Sequence, residues 1–108
     1  MDVALVGAVF PGVSNHSLGA LQRALTDASL RSEVIVYDGP LGAERVARHI
    51  LAGSPRVVGL SIQATAAALP YLALARLLRR RGYRGRIVAG GHFATLHAAE
   101  LVAAGPDL

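Results

Sequence analysis

Four short apolar runs, Val3 to Phe10, Val34 to Tyr37, Arg56 to Ser61 and Arg86 to Ala89, recur along this chain, and between them the apolar residues change period. After the first run, Leu18, Leu21, Leu25 and Ala28 return at three- and four-residue steps, which marks one face of a helix. A second helix is expected from about Leu41 to Leu51, ending at Gly53. In the third, Pro70 fits the first turn, Leu74, Leu77 and Leu78 form the inner face, and Gly82 is the stop. A fourth is expected from Leu96 to Ala103, closed by Gly105-Pro106. Strand and helix in strict alternation require parallel strands joined by crossovers. Strands this apolar are expected to be buried on both faces, with helices on each side of the sheet. The fold class is therefore read as α/β, a doubly wound parallel sheet.

The chain of 108 residues, 53% hydrophobic, is long enough for one real core. It shows no repeat, linker or low-complexity stretch, so residues 1–108 are read as a single domain. Flavodoxin-like domains carry five strands in the order 2-1-3-4-5. Four strand-helix units account for 2-1-3-4 here, and the expectation is a domain truncated at its C-terminal end, with the fifth strand missing. There is no cysteine, so no disulfide, thiolate zinc site or iron-sulfur cluster can form within these residues. An acid, Asp2, stands where a signal peptide would need basic residues, and the chain is read as cytoplasmic. The uncharged run from Val57 to Ala75 is broken by Ser61, Gln63 and Pro70, so no membrane span is expected. The net charge of +4 comes from 11 arginines and no lysine. Five of them, Arg79, Arg80, Arg81, Arg84 and Arg86, gather at the end of the third helix and the turn after it, where they complement the helix dipole. A nucleic-acid partner is not expected.

Three segments fall where strands should end: Ser14-Asn15-His16-Ser17-Leu18-Gly19, then Ser61-Ile62-Gln63, then Gly90-Gly91. In an open parallel sheet, ligands bind outside the carboxyl ends of the strands, at the point where the strand order reverses. The order 2-1-3-4 makes the first and third strands neighbours, so the three segments should share one rim. Other tenants of such a rim fit poorly. A phosphoacceptor receiver would need an aspartate where Ser61 stands. A dinucleotide site would need closely spaced glycines, but Gly7, Gly12 and Gly19 are wrongly spaced. A flavin mononucleotide site would find only Ser14 and Ser17 for its phosphate. Neither a nucleophile elbow nor paired catalytic carboxylates occur. These residues read as a binding module, with no catalytic residues of its own.

The three segments resemble the cobalamin-binding domains, whose pattern is Asp-x-His-x-x-Gly, then Ser-x-Leu or Ser-x-Thr, then Gly-Gly. Spacing agrees: 41 residues separate Gly19 from Ser61, and 26 separate Gln63 from Gly90. The resemblance covers essentially the whole chain. Gly82 to Thr95 looks most like the cobalamin domain that precedes the barrel of radical S-adenosylmethionine enzymes. It implies that cobalamin detaches its dimethylbenzimidazole base and inserts the nucleotide tail between sheet and helices. Ser61 would hydrogen-bond that tail, while Gly19, Gly90 and Gly91 would let it approach the backbone. Ser14, Asn15, Gln63 and His92 are further candidate contacts around the corrin. His16 would be the lower cobalt ligand in members with the full first motif, but Ser14 replaces the aspartate that orients the imidazole. The radical enzymes commonly use an Asn-x-x-Leu segment instead, which Asn15 to Leu18 also satisfies; Asn15 could equally cap the first helix. Tyr37 and Asp38 end the second strand, from where they could reach the ligand's periphery. His49 and His97 fall within helices, on the surface or between helices.

The resemblance implies a module of a radical S-adenosylmethionine methyltransferase using methylcobalamin. Its catalytic barrel, C-terminal to this domain, would bind the iron-sulfur cluster and S-adenosylmethionine. The alternative is a stand-alone corrinoid methyl carrier or a cobalamin-responsive regulatory domain.

Overall fold

A computed structural model of the chain describes residues 1–7, 16–37, 42–61 and 65–90, with side chains for 1–7, 21–37, 42–61 and 69–90. The elements are β1 (Val3–Gly7), α1 (His16–Asp27), β2 (Ser32–Val36), α2 (Ala43–Gly53), β3 (Val57–Ser61), α3 (Thr65–Arg80) and β4 (Arg86–Gly90). The strands are all parallel and lie in the order β2-β1-β3-β4, as the flavodoxin-like reading requires. The expected helix at 96–103 lies outside the described residues.

Alternation along the strands divides the sheet into two unlike faces. Ala4, Val6, Ile35, Tyr37, Val58, Leu60 and Ile87 point to one side, where they form a core with Val46, Ala47 and Ile50 of α2 and Tyr71, Leu74, Ala75 and Leu78 of α3. The intervening residues point the other way, toward α1, which packs on β1 and β2. There Leu5 is buried, but Val36 is 42% and Val88 50% exposed. The strands are thus not buried on both faces among the described residues. Among the described residues, α1 packs on β1 and β2 on that side.

The start of α3 differs from the expected one, whereas α2 ends at Gly53 as expected. Pro70 lies inside α3, its sixth residue, because the helix begins at Thr65. A proline there removes a backbone bond and costs about 3 kcal/mol. Leu74 and Leu78, both fully buried, each contribute about 1.5–3 kcal/mol by leaving water, enough to offset it. The preceding alanines, Ala66 to Ala68, are the strongest helix formers and extend the helix backward. At the end of α2, the left-handed residue is Ser54 (φ 48°), with its N–H donating to the Ile50 carbonyl at 3.0 Å. Gly53 stays helical, and a Cβ there would collide with the Met1 side chain. Gly82 is the stop of α3 as expected, at φ 94°. Its N–H reaches the Arg79 carbonyl at 3.1 Å and that of Tyr83 the Leu78 carbonyl at 2.9 Å, a Schellman closure.

The arginine cluster is partly structural. Arg79 folds back over the turn, donating to the carbonyls of Tyr83 (3.0 Å) and Gly85 (2.7 Å), with its guanidinium 5.7 Å from the Tyr83 ring centre. Arg81 makes two bonds to the Glu44 carboxylate, at 2.6 and 2.8 Å. Arg84 and Arg86 are exposed where the chain enters β4, at the amino end of the sheet and opposite the strand ends singled out above.

Candidate functional site

Register brings the second and third segments together. Ser61, the last residue of β3, pairs directly with Gly90, the last residue of β4. On the other side of β3, Val6 pairs with Leu60, which sets Gly7 of β1 next in line with Ser61. Gly7, Ser61 and Gly90 therefore form one row across the carboxyl edge, about 10 Å long at the ordinary spacing of parallel strands. All three belong to the face on the α1 side. One step in, on the same face, lies a second row of Leu5, Gly59 and Val88.

Packing explains one glycine of this face and leaves another unexplained. At Gly59, a Cβ would stand 3.3 Å from Leu5 Cδ2, so the missing side chain lets Leu5 lie against β3. At Gly90, no atom of the described residues lies within 4 Å of where a Cβ would be. Nor is its backbone among those with positive φ. Neither conformation nor described packing calls for glycine at position 90. What glycine leaves is bare backbone beside the Ser61 hydroxyl, a seat where a flat group could lie against the sheet.

The first segment is described only in part. His16 is the first residue of α1 and Gly19 lies in its first turn, both on the helix that flanks the small-residue row. Ser14, Asn15, Gln63, Gly91 and His92 lie outside the described residues, as does Asp38. Tyr37 does not reach toward the rim. Its ring is buried on the opposite face, edge-on to Tyr71 at 5.2 Å between ring centres, and its hydroxyl donates to the Pro70 carbonyl at 2.9 Å. The two-residue period of β2 puts Tyr37 on the same side as Ile35 and so on the core face. His49 is exposed and contacts Glu33 of β2 at 2.6 Å, bridging helix and strand.

Gly7, Gly59 and Val88 were not singled out from the sequence, although a signal existed. Counting back two residues from Ser61 and Gly90 gives Gly59 and Val88, the same face of the same strands.

Among the described residues, the groups whose pKa is shifted are Asp2, Tyr37 and Tyr83. A hydrogen bond from the Arg31 backbone N–H (2.8 Å) lowers the Asp2 carboxyl at the amino end of the sheet. Burial raises both tyrosines. None of the three stands in the small-residue row. No group of three His, Asp or Glu residues that could hold a metal ion occurs among the described residues, and none of their helices is long and apolar enough to cross a membrane. A cavity of about 340 Å³, with Pro55, Tyr83, Arg84 and Gly85 among its walls, opens at the amino ends of β3 and β4, away from the row.

Comparison with curated proteins and with solved structures returned no match. A family model described as "B12 binding domain" matches residues 4–108, nearly the whole chain and every strand of the sheet. With the flavodoxin-like strand order in place and Ser61 paired to Gly90 at its carboxyl edge, the chain belongs to the B12-binding domain family, whose ligand is cobalamin.

Proposed function

We propose that this domain holds cobalamin with its nucleotide tail laid over the Gly7, Ser61 and Gly90 row, and that it serves a radical S-adenosylmethionine methyltransferase. The observation that carries the binding pose is the direct pairing of Ser61 with Gly90, where a Cβ would meet no described atom. The residues present fit such a guest. Bare backbone at Gly7 and Gly90 admits a flat ring, and Ser61 offers one hydroxyl that can donate to or accept from a heterocycle nitrogen. In a slot screened from water, that nitrogen would cost about 1–3 kcal/mol if left without a partner. Gly19, on α1, would keep the facing helix wall low, and Gly91 would extend the bare backbone beyond Gly90. Ser14, Asn15, Gln63 and His92 would surround the corrin. Bound cobalamin supplies a cobalt-carbon bond that can carry a methyl group. The chain's part is to orient that group and keep water from the tail.

Support for the radical-enzyme setting comes from the stretch Gly82 to Thr95 and from Ser14 in place of the usual aspartate. His16, as the first residue of α1, stands at the start of the helix beside the row and is the candidate lower ligand. Titration with hydroxocobalamin, followed by the visible spectrum, tests the binding. Saturable binding is expected, with strong loss in Ser61→Phe; undiminished binding in that variant would remove the pose. His16→Ala should change the spectrum of the bound form only if the imidazole reaches cobalt. The enzyme setting is checked by the coding sequence after Leu108, where a Cys-x-x-x-Cys-x-x-Cys stretch is expected; its absence would refute the radical-enzyme reading.

A further inference from the structure

We infer that the amino edge of the sheet is a docking surface for an acidic segment of a partner protein. Its carboxylates would meet Arg56, Arg84 and Arg86, and one large apolar side chain would enter the cavity beside them. The inference is independent of the cobalamin pose, which concerns the opposite edge. Backbone bonds fix the amino edge: the Asp2 N–H donates to the Arg31 carbonyl (2.7 Å), the Arg56 N–H to that of Asp2 (2.8 Å) and the Arg86 N–H to that of Arg56 (3.1 Å). One residue at or just before the start of each strand thus stands in line, in the order β2-β1-β3-β4, with neighbouring strands about 5 Å apart. Arg56, Arg84 and Arg86 are exposed. Among the described residues, the ion pairs are Arg31 with Asp2, His49 with Glu33 and Arg81 with Glu44, so these three guanidiniums have no carboxylate. Nor does a helix dipole account for Arg56 and Arg86, which lie at the starts of β3 and β4.

The cavity of about 340 Å³ opens at this edge, with Arg84 itself in its wall and Leu51, Pro55 and Tyr83 as its apolar lining. Its walls are held in place. The Tyr83 hydroxyl, in a buried bond, donates to the Pro55 carbonyl at 3.1 Å. A Cβ at Gly85 would overlap that hydroxyl and stand 2.7 Å from the Arg56 carbonyl, so glycine is what lets the turn close here. A preformed apolar seat flanked by cations suits a protein partner: one buried anchor supplies most of the affinity, and the charges around it set the partner's sign. Nucleic acid suits the edge less well. In the row, Asp2 stands between Arg31 and Arg56, where its carboxylate would repel a phosphate chain, whereas a protein can present a neutral residue to it. Tyr83 is 7% exposed, which leaves its ring no open face for a base.

The test titrates the intact 108-residue chain with three short peptides. The first places glutamates around one phenylalanine, the second has serine for the phenylalanine, and the third has lysines for the glutamates. Wild type is expected to bind the first, less tightly as salt rises. Serine for phenylalanine should weaken binding about tenfold, as for one large apolar side chain left out of its seat, and the lysine peptide should not bind. In the double variant Arg56→Glu, Arg86→Glu the preference should reverse, with the acidic peptide lost and the lysine peptide bound. Its visible-spectrum response to hydroxocobalamin should stay as in wild type, because the two edges lie about 13 Å apart along each strand. Equal wild-type affinity for the acidic and lysine peptides, or for the phenylalanine and serine versions, would overturn the inference. Oligouridylate binding as tightly as the acidic peptide would also overturn it, marking a nucleic-acid surface instead. Failure of wild type to bind the acidic peptide, with the hydroxocobalamin response intact, would overturn the docking surface and leave cobalamin binding standing.

Discussion

On one face of the sheet, Val58 and Leu60 of β3 are shut beneath α2 and α3, each 1% exposed or less. On the other, one residue along the same strand, Gly59 and Ser61 look out beside a half-exposed Val88. The strand is the same and the burial differs, which separates two tasks that share a backbone. The sealed face carries stability: its side chains are buried and free of polar atoms except the tyrosine hydroxyls. The α1 face is thin at its carboxyl end, where three small residues, Gly7, Ser61 and Gly90, stand in a row. A residue's role in this domain therefore follows from the parity of its position in the strand as much as from its type.

The largest expected effect lies on the sealed face. Leu74→Ala should cost about 2–5 kcal/mol, read by urea denaturation, because Leu74 is fully buried among α2 and sheet residues. Val88→Ala should cost less than half as much in the same measurement; equal losses would break the distinction between the faces. Arg79→Met comes next. It removes two bonds to carbonyls of the α3-β4 turn and the stacking on Tyr83, and should cost about 1–3 kcal/mol with cobalamin affinity unchanged. Tyr37→Phe, losing one bond to the Pro70 carbonyl, should cost about 1 kcal/mol.

That variant also has a pH signature. Burial keeps the Tyr37 and Tyr83 protons on above the ordinary value of 10.0, so the unfolded chain ionises first. Stability is full below that value and falls as pH rises beyond it. Tyr37→Phe should flatten this alkaline limb, as followed by thermal denaturation between pH 9 and 11, a window set about the ordinary tyrosine value. The smallest effect is at Asp2, whose lowered carboxyl contributes stability above its ordinary value of 3.8 that is lost as pH falls below it. Asp2→Asn should trim the acid limb slightly and leave the alkaline limb alone.

Much of this was legible in the sequence for physical reasons. Apolar runs alternating with helical periods specify parallel strands joined by crossovers, and the flavodoxin-like type supplied the order β2-β1-β3-β4 that the sheet has. Ser61 and Gly90 could be placed on one rim because strand ends in a parallel sheet align. The start of α3 was not legible, since Pro70 is a local signal for a first turn and burial of Leu74 and Leu78 overrides it. The end of α2 at Gly53 was legible, and the residue after it, Ser54, takes the left-handed conformation. The direction of Tyr37 depended on strand parity, and so did the second row of the site. Parity requires register, which only the assembled sheet supplies.

The most direct measurement sets stability against binding at one residue, Gly90, whose Cβ position meets no described atom. Gly90→Leu should leave the urea midpoint nearly unchanged and abolish the visible-spectrum response to hydroxocobalamin. An unchanged midpoint with undiminished cobalamin binding would contradict the account, because the tail would then not lie over Ser61 and Gly90.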